Sequence, residues 1–76
     1  MPYKKIAANE WDTESTLQHA AQRIRDWASQ DGDISRGDAG VELAEMFTAL
    51  VQDREGGALS YKSAVKVFFD EMLGSE

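Results

Sequence analysis

The chain has 76 residues, of which 14 are acidic and 8 are basic, so its formal charge at pH 7 is −6. This length predicts one small domain, and a hydrophobic content of 42% argues for a packed core rather than for disorder. The excess of carboxylates disfavours direct binding of nucleic acid, because phosphate contacts require Lys and Arg. The absence of cysteine excludes disulfides and thiolate metal sites.

Two further features predict a cytoplasmic protein. Small secreted domains usually depend on disulfides, which this chain cannot form. The opening residues, MPYKKIAANEW, contain no apolar leader segment, and no stretch approaches the roughly 20 apolar residues of a membrane span. We therefore expect a cytoplasmic location, or the host cytoplasm if the protein is encoded by a phage, and no contact with a membrane.

The first third of the chain predicts an arm followed by a helix. Residues 1–11 are interpreted as a short N-terminal arm or an extra helical turn. Apolar residues then recur at helical spacing over 13–30, where Asp12 or Thr13 provides the N-cap and Gly32 the terminator.

Two more helices are predicted after this one. The second covers 38–54, begins with Asp38 as its cap and ends at Gly56-Gly57. The third covers 60–73, with Ser60 as its cap. Because no segment alternates apolar and polar residues, we predict an all-α three-helix bundle in one domain, 1–76.

The segment DGDISRGDAGVE, residues 31–42, resembles the spacing of an EF-hand calcium loop. Oxygen ligands occupy positions 1, 3, 5 and 12 of that pattern: Asp31, Asp33, Ser35 and Glu42. Two positions break it, because Arg36 stands where the loop needs glycine and Asp38 where it needs an apolar residue. We interpret the segment as a connector in which Ile34 enters the core, and expect no cofactor. A calcium-responsive helix–loop–helix module is the alternative.

Catalytic groups are scarce. His19 is the only histidine, and its position relative to Leu17 places it on the solvent face of the first helix. With one histidine and no cysteine, the chain can build neither a nucleophile triad nor a zinc site. We predict that the protein is not an enzyme.

The arrangement of charge predicts a binding surface instead. On the second helix Asp38, Glu42, Glu45 and Gln52 share one outer face. On the third helix Lys62 and Lys66 precede Asp70 and Glu71, which opposes the helix dipole and is therefore typical of a functional surface.

Aromatic residues offer apolar contacts beside these charges. Phe68 and Phe69 are adjacent and cannot both face one core stripe, so we expect one of them, Phe69, to be partly exposed. Tyr3 and Trp11 on the arm either add to an aromatic surface or close the core of the bundle.

These features favour a small acidic inhibitor or regulator that binds a larger protein through a basic, nucleic-acid-binding surface of that partner. The predicted partner-binding residues are Asp38, Glu42, Glu45, Phe69, Asp70 and Glu71. Small size, acidity and the lack of cysteine are typical of phage anti-defence proteins, including the anti-CRISPR and anti-restriction types. A structural subunit of a homo-oligomer is a further alternative; otherwise we expect a monomer or a weak homo-oligomer.

Overall fold

Three α-helices and one short 3-10 turn make up this computed structural model, in which residues 6–30, 34–57 and 59–74 are described. The 3-10 turn covers Ala8–Glu10, α1 covers Leu17–Ala28, α2 covers Asp38–Glu55 and α3 covers Tyr61–Leu73. No strand occurs among these residues, and the prediction of an all-α three-helix bundle is confirmed. Some residues of the sequence predictions lie outside the described ranges: Tyr3, Asp31, Gly32 and Asp33.

The start of α1 differs from the prediction. The helix begins four residues later, and its N-cap is Thr16, whose side chain accepts a hydrogen bond from the His19 backbone N–H at 3.1 Å. Asp12 instead accepts from the Glu14 N–H at 3.1 Å, which forms a turn before the helix. Asp12 therefore bends the chain and does not cap α1. The helix also ends earlier than predicted, at Ala28.

The boundaries of α2 agree closely with the prediction. The helix begins at Asp38, although the N-cap is Gly37 and Asp38 is the first helical residue, where its charge favours the helix dipole. At the other end Gly56 adopts a left-handed conformation with φ of 68°, and its N–H donates to the Gln52 carbonyl. The predicted Gly56-Gly57 terminator is confirmed.

The third helix, α3, packs against both α1 and α2. Its predicted cap is confirmed, because the Ser60 hydroxyl accepts from the Ser63 N–H at 3.2 Å. The helix ends at Leu73, as predicted.

The core forms where the three helices and the N-terminal segment meet. Phe47 of α2 and Phe68 of α3 are fully buried, with ring centroids 5.4 Å apart. Trp11 is 6% exposed, so it closes the core and contributes no aromatic surface. Buried side chains of all three helices complete the cluster: Ala20, Ala21, Ile24, Ala28, Leu43, Ala44, Leu50, Val51, Ala64 and Met72. No helix in the described ranges is long and apolar enough to cross a bilayer.

The connector between α1 and α2 lies directly on the first turn of α2. Ile34 packs against the core, as predicted. Gly40 permits the close approach, because a Cβ at this position would overlap the Ser35 carbonyl oxygen. The Arg36 guanidinium lies over the Phe69 ring, 4.9 Å from its centroid, and joins the connector to α3.

Candidate protein-binding surface

The outer face of α2 carries half of the predicted binding residues. Asp38, Glu42 and Glu45 are all exposed, and Asp53 continues the same face towards the end of the helix. Gln52, predicted on this face, is half-buried because its Nε2 donates to the Leu59 carbonyl at 3.3 Å. The side chain of Gln52 therefore belongs to the α2–α3 connection rather than to the outer face.

An exposed valine lies among these carboxylates. Val41 is 45% exposed and is placed three residues after Asp38 and four before Glu45, so all three share one side of α2. Sequence reasoning missed Val41, although its spacing from both acidic residues could have revealed it. We define the acidic stripe as Asp38, Val41, Glu42, Glu45 and Asp53. At 1.5 Å per residue it extends about 22 Å.

Among the described residues, no basic side chain forms an ion pair with a carboxylate of the acidic stripe. In the described ranges one ion pair occurs, between Lys66 and Asp70 on α3. The basic residue of α2, Arg54, is directed elsewhere: its guanidinium donates to the Asp12 carbonyl at 2.6 Å and to the Thr13 carbonyl. It also lies over the Trp11 ring at 5.4 Å. The negative charge of the stripe therefore faces solvent.

The predicted residues on α3 lie in different surroundings. Phe69 is half-buried, with an edge-to-face contact to Phe68 at 5.4 Å, and the guanidinium of Arg36 covers its ring. A Cβ built on Gly40 would lie 3.5 Å from the Cε1 atom of Phe69. Phe69 therefore lies beside the start of the acidic stripe.

The two carboxylates that follow Phe69 are less available than those of α2. Asp70 is bound to Lys66 at 2.9 Å, with both side chains largely exposed, so the pair contributes little to stability. Glu71 is half-buried.

One of the two residues that break the calcium-loop pattern has a structural role in this fold. Arg36, at the position where an EF-hand needs glycine, packs over Phe69. Of the four proposed ligands, Ser35 and Glu42 are described, and Glu42 is exposed on α2. The described ranges hold no group of three or more His, Cys, Asp or Glu side chains suited to a metal ion.

Comparison with known proteins yielded no relatives: no family model matches the chain, and no significant match was found among curated proteins or solved structures.

His19 lies on the exposed side of α1, as predicted.

Proposed function

We propose that the protein is a non-catalytic inhibitor or regulator that binds a larger protein and occupies a basic groove in which that partner holds nucleic acid. A target of this kind suits an anti-defence protein of the anti-CRISPR or anti-restriction type. In this proposal the acidic stripe of α2 enters the groove, and Phe69 lies at the edge of the contact.

The observation that carries the proposal is the unneutralised charge of the acidic stripe. Asp38, Glu42 and Glu45 place three carboxylates along about 10 Å of helix. Three successive phosphates of one DNA strand span about 7 Å along the duplex axis. The two charge densities are comparable, so a groove lined with Lys and Arg for phosphates is also electrostatically suited to the stripe.

Val41 supports the same proposal from the apolar side. Protein interfaces combine an apolar centre with a polar rim, and Val41 is an exposed apolar side chain surrounded by carboxylates. Charge directs the encounter, whereas burial of apolar surface slows dissociation. In this proposal Phe69 adds apolar contact at the edge of the interface, and Phe69→Ala is expected to speed dissociation from the partner.

The test reverses the charge of the stripe. The parent protein is used to isolate its partner from the host, and association rates are then measured at low and high salt. Glu42→Lys with Glu45→Lys should slow association by about tenfold or more and weaken its salt dependence, with little change in melting temperature. Parent protein should also displace nucleic acid from the partner.

A matched control makes the same change in net charge elsewhere. Glu14→Lys with Asp26→Lys alters two exposed carboxylates outside the acidic stripe and should affect association far less. Salt-insensitive binding, with full affinity in the Glu42→Lys, Glu45→Lys variant, would eliminate the groove-blocking mechanism.

A further inference from the structure

A shallow depression lies at the carboxyl end of α2, away from the middle of the acidic stripe. It has a volume of about 360 Å³ and is lined by Thr16, Leu17, Glu55 and Leu59. Leu17 and Leu59 are half-buried and form an apolar floor, whereas Glu55 is exposed at the edge. The depression therefore combines apolar surface with one carboxylate.

Three separate contacts hold the walls of the depression together. Thr16 is fixed as the N-cap of α1 by its bond from the His19 N–H. Arg54, next to Glu55, binds the Asp12 carbonyl and so ties the segment before α1 to the end of α2. Gln52 binds the Leu59 carbonyl at 3.3 Å. Each of these contacts ties a wall of the depression to a helix end, which favours a preformed shape.

The carboxyl end of α2 favours a cation at Glu55. Glu55 is the last residue of α2, where the negative end of the helix dipole attracts positive charge. The adjacent Arg54 is bound to backbone carbonyls, and in the described part of the chain no ion pair involves Glu55. The amino end of α1 also borders the depression, and its positive dipole end favours a carboxylate and opposes a cation there, so a test has to separate a structural role of Glu55 from ligand binding.

We propose that this depression binds the side chain of a lysine or arginine from the partner, with its methylene groups on Leu17 and Leu59 and its cation at the Glu55 carboxylate. Such side chains cover apolar surface with their stems while the charged end stays at the edge. The inference rests on the proposed function for the source of the side chain, a basic protein surface. The site itself can be tested without that partner.

The experiment titrates the full chain with n-butylguanidinium and n-butylammonium, observing leucine methyl groups by NMR. Butanol serves as the uncharged probe of the same length. Both cations should shift the Leu17 and Leu59 methyl signals with dissociation constants on the order of millimolar, and butanol should bind several-fold more weakly. The stronger of the two cations identifies the preferred side chain.

Two substitutions locate the charge that is responsible. Glu55→Gln should weaken binding of the cations by about two- to fivefold, the range of an exposed ion pair. Asp26→Asn removes an equal charge from an exposed position on α1, nine residues after Leu17 and outside the acidic stripe, and should leave binding nearly unchanged. Equal binding of butanol and the cations by the parent, or equal losses in the two variants, would overturn the proposal. So would a Glu55→Gln variant that is destabilised but binds the cations normally. None of these results depends on charge reversal at Glu42 and Glu45, so failure here is distinguishable from failure of the proposed function.

Discussion

Replacement of Gly40 by alanine sets a gain in helix propensity against a steric clash with the connector. Alanine favours a helix over glycine by at most about 1 kcal/mol, and by less here because Gly40 lies in the first turn of α2. Against this gain, the new Cβ would overlap the Ser35 carbonyl oxygen and stand 2.9 Å from its carbonyl carbon. These are backbone atoms, which cannot rotate aside as a side chain would, so the connector itself has to move.

The cost of that movement can be worked out from the contacts that it breaks. The stacking of Arg36 on Phe69 is worth about 0.5–1 kcal/mol. Ile34 is half-buried, and withdrawing it from the core costs about 1 kcal/mol. Residual overpacking around the new methyl group adds about 1 kcal/mol or more. The sum of these losses exceeds the gain in helix propensity, and we expect Gly40→Ala to be destabilised by about 2 kcal/mol.

For a chain of this size, that loss corresponds to a fall in melting temperature of about 8–16 °C. Thermal unfolding followed by circular dichroism measures it, and NMR shifts of the Arg36 side chain report whether it still lies over Phe69. Ala49→Gly provides the control, because Ala49 is exposed in the middle of α2 and the reverse exchange there changes helix propensity alone, at a cost of about 1 kcal/mol. If Gly40→Ala melts at or above the temperature of the parent, the connector is not seated on α2 as described.

Two further predictions concern the core and the calcium hypothesis. Phe47→Ala should cost about 3–5 kcal/mol, a large part of the roughly 4–11 kcal/mol expected for 76 residues, and denaturant unfolding should show the variant largely or wholly unfolded. A midpoint close to that of the parent would contradict the importance of Phe47 to the core. A terbium or calcium titration should show no saturation below about 100 μM, because Arg36 and Asp38 break the loop pattern. Tight binding that is lost in Glu42→Gln would reverse this interpretation.

Local signals in the sequence were sufficient for most helix ends. Gly56 could be identified as a terminator and Ser60 as a cap from their immediate neighbours, because each acts through hydrogen bonds within a few residues. The start of α1 could not be identified in this way. Asp12 and Thr16 are both competent caps that the local sequence does not distinguish. In the fold Asp12 forms a turn beside the buried Trp11, and Thr16 caps α1.

The residues of the candidate surface also differ in whether the local sequence predicts their surroundings. Exposure of Glu42 and Glu45 followed from the helical period, since both lie opposite the apolar side of α2. The partial burial of Gln52 did not follow from the helical period, because it depends on a hydrogen bond to the Leu59 carbonyl across a turn. The cover over Phe69 comes from Arg36, which is distant in sequence, and no local pattern predicts such a contact.

The bond between Arg54 and the Asp12 carbonyl joins residues 42 positions apart and closes a loop that contains all of α1. Closing a flexible loop of that length costs about 3 kcal/mol in chain entropy. A surface hydrogen bond cannot supply this alone, so the contact depends on helices that are already packed. The depression beside Glu55 shares this dependence. Thr16 and Leu17 on one side of it are far apart in sequence from Glu55 and Leu59 on the other. A ligand that binds there selects the fully assembled chain, and its binding free energy adds to the free energy of folding.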